Sequence, residues 1–326
     1  MKVNTVLGSV NVNELGVTLM HEHIINIEWN FARAFPGFYD RESVVEMFCE
    51  EMEELKPYGV KTFVDATPIT LGRDVELLRY CSERAGVNII ACTGLYWHEA
   101  PFFHMGLEAE VLAELMIHEI EHGMEGTDSK PGFIKCASQL YPGESENNRN
   151  MIRAAAIASN ATGLPIYTHS DSSSRLAEYQ KQILSDEGIS PEKVAFGHTF
   201  KLRNLEYIKN LTSDGSYVGC DQLAFSSAES LNALADFLAE LLKGDMRKQI
   251  FLSCDAALRS DFGRSLAKNL RNRESNSLVI KDCRRDKLFR GLLPKLRERG
   301  VNESVIEEVL IGNPQRFFAG KNYLEK

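Results

Sequence analysis

No stretch of this 326-residue sequence approaches the roughly 20 consecutive apolar residues that a membrane helix requires. Met1-Lys2-Val3-Asn4-Thr5 opens without the apolar core of a secretory signal, so a cytoplasmic chain is expected. There are seven cysteines, an odd number with no Cys-x-x-Cys spacing, which argues against a disulfide framework and for a reducing compartment. In that setting the Asn-x-Ser/Thr matches at Asn160, Asn210 and Asn302 are chance occurrences. Positive charge is also short: 37 Lys and Arg against 46 Asp and Glu leave a net charge of −9, which disfavours nucleic acid and anionic membranes as partners. Walker A, Gly-x-Gly-x-x-Gly and Gly-x-Ser-x-Gly patterns are all missing, and with them the usual marks of nucleotide binding and of serine hydrolases. No Pro/Gly/Ser-rich linker divides the chain, so residues 1–326 read as one domain with an ordinary 44% hydrophobic share.

What is present is an alternation of short β-rich runs with helical patterns. The runs are Val17–His21, Lys61–Thr67, Asn88–Tyr96, Gly132–Ala137, Pro165–His169, Val194–His198, Tyr217–Asp221 and Ile250–Asp255. Helix-like stretches separate them: Glu42–Leu55, Asp74–Ala85, Leu107–His122, Asn148–Thr162, Arg175–Glu187, Asn204–Thr212 and Ser230–Lys243. Several runs are apolar until their last residues, as parallel strands buried on both faces are. Eight such units in a chain of this length imply an α/β fold and favour a (β/α)8 TIM barrel over a doubly wound sheet. Residues from Thr5 to Val12 read as a hairpin under the barrel, Val301–Val309 and Asn313–Phe318 as closing helices, and the segment after strand eight as its longest loop.

In such barrels chemistry sits at the C-terminal strand ends. Strand one closes on Met20-His21-Glu22-His23, where alternation puts both imidazoles on one face and Glu22 on the other. Strand four carries Lys135, strands five and six end in His169 and His198, and strand eight ends in Asp255. Each has an ordinary reading when taken alone: a strand-end histidine can be a surface residue, and Asp255 can cap the next helix. Lys135 is the exception, because an unpaired ammonium in an apolar strand is costly; carbamylation by carbon dioxide would turn it into a bridging anion. Six such residues at one rim form a candidate site for Zn²⁺ or another divalent first-row metal. His98 and His104 lie in the loop after strand three, and His118 and His122 read as a solvated helix face.

With these residues assembled, the chain resembles the phosphotriesterase family of the amidohydrolase superfamily, and within it the lactonase-like branch. The resemblance runs over nearly the whole length, through Leu15-Gly-Val-Thr-Leu-Met-His-Glu-His, Asp65-Ala-Thr-Pro, Thr93-Gly-Leu-Tyr, Gly132-Phe-Ile-Lys, Thr168-His-Ser, Phe196-Gly-His, Leu252-Ser-Cys-Asp and Asn313-Pro-Gln-Arg-Phe-Phe. It implies a binuclear centre in which His21, His23 and Asp255 hold the more buried metal, and His169 and His198 the more exposed one. Carboxylated Lys135 and a hydroxide would bridge the two ions, which would be Zn or alternatively Co, Mn or Fe. The implied reaction is lactone opening by that hydroxide, with Asp255 as the proton acceptor and Tyr96 contacting the ring. The alternatives are phosphotriesterase or aryl esterase activity and, more remotely, a non-catalytic metal-binding protein. Two departures from the pattern concern the substrate. Gln222 stands where relatives that hydrolyse acyl-homoserine lactones carry Arg, and Ser253-Cys254-Asp255 replaces their Ser-His-Asp.

Two further expectations concern surfaces. Between Arg259 and Arg290 lie ten Lys or Arg against four Asp or Glu, a basic stretch that reads either as a solvated loop or as an attractor for an anionic substrate, with Arg259 best placed. Members of the family are commonly homodimers, and the aromatic loop Trp29–Tyr39 is the candidate interface.

Overall fold

An antiparallel hairpin, β1 (Lys2–Thr5) and β2 (Gly8–Asn11), opens the chain and pairs Thr5 with Gly8 across its turn. The computed structural model describes residues 1–27, 40–96, 106–138, 145–171, 173–261 and 284–320, with the side chains of 259–261 outside that description. Parallel strands follow: β3 (Val17–Ile27), β4 (Val60–Asp65), β5 (Asn88–Gly94), β6 (Phe133–Ala137), β7 (Ile166–His169), β8 (Val194–Phe196), β9 (Tyr217–Cys220), β10 (Ile250–Leu252) and β11 (Ala257–Asp261). Their order in one sheet is β10-β9-β8-β7-β6-β5-β4-β3-β11. Helices α1 (Arg41–Leu55), α2 (Val75–Ala85), α3 (Ala109–His122), α4 (Glu146–Thr162), α5 (Leu176–Asp186), α6 (Leu205–Thr212) and α7 (Ala228–Leu242) connect them. Five of these begin where the sequence offers a short polar side chain: Asp40, Asp74, Ser145, Asn204 and Ser227 each accept a backbone N–H of the first turn.

The expectation of one eighth strand over Ile250–Asp255, with Arg259 already in a loop, is corrected. The strand is split in two, and the split closes the ring. Its first half, β10, pairs with β9, and Ser253 N–H continues that ladder onto Cys220 O at 3.1 Å. Asp255 then adopts φ +55, a left-handed conformation uncommon for a residue with a side chain, and the second half, β11, runs beside β3 with Arg259 opposite Ile25. Asp255 N–H donates to His21 O at 3.0 Å and His23 N–H to Ala256 O at 2.9 Å. The eighth strand is therefore bonded to β9 below and to β3 above, which makes the sheet a (β/α)8 barrel.

Burial follows the two faces of the sheet. Outward side chains such as Ile89, Ile134, Ile166 and Val218 pack under the helices. Inward ones, among them Val64, Ile90, Phe133, Tyr167, Tyr217 and Phe251, fill the barrel. Its base is plugged by Val3, Val12 and Leu15 from the N-terminal segment and by Phe317 and Phe318 of the last helix, Asn313–Ala319. On this floor Tyr217 and Phe251 stack with ring centroids 4.9 Å apart. Among the described residues no helix is long and apolar enough to cross a membrane.

Candidate metal centre

The upper end of the barrel gathers the strand-end residues. In β3 a bulge sets Leu19 opposite Phe63 and Glu22 opposite Asp65, three steps against two. Met20 thereby joins the inner core while His21 and His23 still face the centre, and Glu22 is turned to the far side. Ligand atoms of His21, His23 and Asp255 lie within 4.8 Å of one another, as do those of His21, His198 and Asp221. Lys135 is 1% exposed, and its Nζ lies 3.2 Å from His21 Nε2. The rings of His169 and His198 meet edge to face with centroids 4.4 Å apart. Tyr96 Oη stands 3.4 Å from His169 Nδ1, and Gln222 Nε2 donates to Asp255 Oδ2 at 3.5 Å. His198, like Asp255, holds a positive φ, +61. Strained backbone of this kind persists where surrounding structure over-determines it, and functional sites are where it collects.

Two side chains that the sequence reading did not assign orient the imidazoles. Asp221, ending the β9 run, faces His21 Nδ1 through Oδ2 and His198 Nδ1 through Oδ1, both at 2.9 Å, and also accepts from Tyr167 Oη at 3.0 Å. Burial alone would raise its pKa, but the charges and hydrogen bonds of His198 and His21 outweigh that and hold its carboxyl well below the usual range. An ionised Asp221 accepts from both Nδ1–H groups, so Nε2 of each ring is the atom left for a ligand. Thr67 does the same for His23: its hydroxyl donates to Ile25 O at 3.2 Å and so accepts from His23 Nδ1 at 2.8 Å, and His23 Nε2 faces Asp255 Oδ1 at 3.1 Å. Both residues were visible in the sequence as polar groups at strand ends; what was missing was the through-space pairing.

The protonation states of His21, His169 and Asp255 suit a metal, whereas His198 is shifted the other way: burial would lower it, but the charges of Asp221 and Asp255 raise it above its ordinary value. Burial, with Lys135 adding to it, lowers His21 to about 3. Burial and then His198 lower His169 well below its ordinary value. Burial would raise Asp255, but His198, His23 and His21 bring it down to about 2. Neutral imidazoles and an ionised carboxylate are the forms that coordinate. Burial also lowers Lys135, favouring the neutral amine, the form that attacks carbon dioxide. The donor set thus fits a divalent metal site.

Glu22, off the metal face, is wholly buried and has its own work. It accepts from Ser253 Oγ (2.5 Å), Cys254 N (2.7 Å) and Ala256 N (3.1 Å), bracketing the kink at Asp255. It also pairs with Arg285 Nε at 3.1 Å. Arg285 is 0% exposed, pairs in addition with Glu51, and donates through Nη2 to His23 O (2.6 Å) and Ala256 O (2.8 Å). Part of the basic stretch is therefore core and not a solvated lid, because the buried Glu22 and the partly buried Glu51 face this guanidinium. The backbone of Arg259 lies in β11, but its side chain and residues 262–283 are outside the described residues. So are His98, His104 and the loop 29–39, while His118 and His122 lie on α3 with ring centroids 4.7 Å apart.

A (β/α)8 barrel with imidazole, carboxylate and lysine donors converging at the C-terminal strand ends defines a barrel hydrolase of the metal-dependent kind. The model of the phosphotriesterase family matches residues 1–318, and the chain belongs to that family. It is 31% identical over 315 residues to the aryldialkylphosphatase of Saccharolobus solfataricus, covering 95% of this chain and 97% of that one. A phosphotriesterase homology protein of Mycobacterium tuberculosis is 29% identical over 326 residues, 97% of each chain. A phospho-furanose lactonase of Mycoplasmopsis agalactiae is 26% identical over 343 residues, 97% of this chain and 91% of that one. The protein is a metal-dependent hydrolase.

Proposed function

We propose that the protein is a binuclear metal-dependent lactonase. The observation that carries this reading is the convergence of His21, His23, Lys135, His169, His198 and Asp255, six buried or nearly buried donors, at one end of the barrel. His21, His23 and Asp255 would hold one ion, His169 and His198 the other, and carboxylated Lys135 would link them. When bound, the ions supply Lewis acidity and bring the pKa of a water towards neutrality.

The chain's own residues supply the rest. Asp255, kept ionised, accepts the proton of the attacking water while Gln222 steadies its other oxygen. The new bond forms at the acyl carbon, the ring C–O bond breaks, and the proton on Asp255 passes to the departing alkoxide to leave a hydroxy acid. Tyr96, with its hydroxyl beside His169, is placed to hold the ring oxygen. The phospho-furanose lactonase among the relatives supports a lactone; the aryldialkylphosphatase supports organophosphate triesters as the second reading. A cytoplasmic location, expected from the start of the sequence and its cysteine usage, and a homodimer, expected from the family, accompany the reading.

Zinc-loaded protein should carry about two ions per chain and open members of a lactone panel faster than it cleaves diethyl aryl phosphates. Lys135→Ala should lower the metal content and abolish turnover. Full turnover in that variant, or hydrolysis of triesters alone, refutes the reading.

A further inference from the structure

Beside the metal centre a cavity of about 320 Å³ opens outward between the ends of β8 and β9. That volume falls at the lower end of small-ligand sites, about 300–1,000 Å³. Its floor is His198, Cys220, Asp221 and Gln222, so it is continuous with the residues that would carry the chemistry. Phe200, Leu223, Phe225 and Leu234 give it an apolar wall; Phe225 is 64% exposed, unusual for a phenylalanine unless something covers it. The outer rim is different in kind. It carries Lys201, Arg203, Ser226 and Ser230. Arg203 adopts φ +46, and its Nη2 donates to Ser230 Oγ at 3.0 Å, which fixes the guanidinium across the mouth against the first turn of α7. Asp221 is the only acid among the described lining residues, and its carboxylate is turned to His21, His198 and Tyr167.

In a chain of net charge −9, a cationic rim above an apolar wall selects its occupant. We propose that this cavity holds the substituent of the substrate, and that the substituent is a short apolar stretch ending in an oxyanion bound by Lys201 and Arg203. The inference rests on the lactonase reading and narrows it: the ring sits at the metal centre, the tail runs past Gln222 along Phe225, and the anionic end meets the rim. Gln222 in place of a cation then makes sense, since the positive charge stands farther out, where the tail ends. It also moves the anion-recognising role from Arg259 to the loop after β8.

The test uses a matched pair of lactones whose side chains end in a carboxylate or in the isosteric carboxamide, with the zinc-loaded full chain. The readout is the ratio of kcat/KM for the two, in the wild type and in Lys201→Gln, Arg203→Gln and the double variant. The carboxylate should be preferred by about tenfold or more, the double variant should lose about that factor, and Arg203→Lys should restore part of it, as expected for two charge-assisted contacts. Raising the salt concentration should erode the preference in the wild type. Calorimetric titration with the two ring-opened hydroxy acids gives a readout independent of turnover, in which the carboxylate-tailed acid should bind tighter and lose that advantage in the double variant. If neither lactone opens but the charge-dependent binding is present and lost in the variant, the lactonase reading fails and the anion cavity stands. If both lactones open at equal efficiency and binding ignores the charge, the cavity proposal is overturned and the hydrolase stands. A ratio left unchanged by the double variant also overturns it.

Discussion

Replacing Arg285 with Met removes a guanidinium that touches four groups at once, and the structure sets the size of the loss. Arg285 is wholly buried, pairs with Glu22 and Glu51, and donates to the carbonyls of His23 and Ala256. Its guanidinium also lies over the Phe63 ring, 4.8 Å from the centroid. Methionine keeps most of the apolar contact but leaves two carboxylates facing no cation. Breaking a buried pair on one side costs about 3–5 kcal/mol, which for a chain of this size lowers the melting temperature by roughly 4–7 °C. Urea unfolding of the metal-free protein, followed by circular dichroism, measures it. The deficit has a predicted pH dependence. Burial pushes the Glu22 carboxyl up from 4.5 to about 7 against the downward pull of Arg285. A carboxyl with a raised folded-state pKa contributes its stability below the unfolded value and loses it as pH rises through the folded value. Without Arg285 the folded pKa rises further, so the deficit of the variant relative to wild type should stay level up to about pH 7 and widen above it, where wild-type Glu22 ionises and the variant's stays protonated. In the double variant Glu22→Gln/Arg285→Met, the isolated charge is gone, and the loss should fall short of the sum of the single losses by about 1–3 kcal/mol. Additive losses, or a deficit independent of pH, would show that Glu22 and Arg285 do not act as a pair.

Two further perturbations address the site from beneath. Asp221→Asn places an amide donor against one of the two imidazole Nδ1–H groups that the carboxylate now accepts; zinc affinity, measured by chelator competition, should fall about 10–100-fold, and an unchanged affinity would remove Asp221 from the orienting role. Gly94→Ala sets a Cβ 1.9 Å from Lys135 O at a residue with φ +114. Local strain of that type costs about 1–3 kcal/mol, so chemical denaturation should register a loss of that order and zinc binding should weaken with it; a stability change within about 0.5 kcal/mol, the usual effect of a neutral surface substitution, would refute the packing argument.

How far the sequence could be read depended on whether a residue acts through its place along the chain or through space. The barrel was legible because the strands are apolar up to their last residues and the helices begin at capping side chains such as Asp40, Asp74 and Ser145. The donors were legible for the same reason: Lys135, His169, His198 and Asp255 each end or approach the end of a strand-like run, and a parallel barrel brings strand ends together whatever their distance in sequence. His21 and His23 differ, because β3 does not close on them but continues to Ile27 beside β11. Nothing local announces the split of strand eight, which arises because Asp255 turns to φ +55 while its own N–H reaches His21 O and Glu22 collects the amides on either side. Asp221 enters the sequence only as the last residue of the seventh run, because whether a strand-end carboxylate binds a metal or steers two imidazoles depends on which ring nitrogens face it. Arg285 shows the same limit from the other side. Ten cations against four acids look like a solvated surface, yet one of the ten is the buried counter-charge of the glutamate inside the His-x-His motif. The two histidines of that motif face the metal centre while the glutamate between them fastens the strand that carries Asp255, so one tripeptide sets both the donors and the backbone bend that presents the last of them.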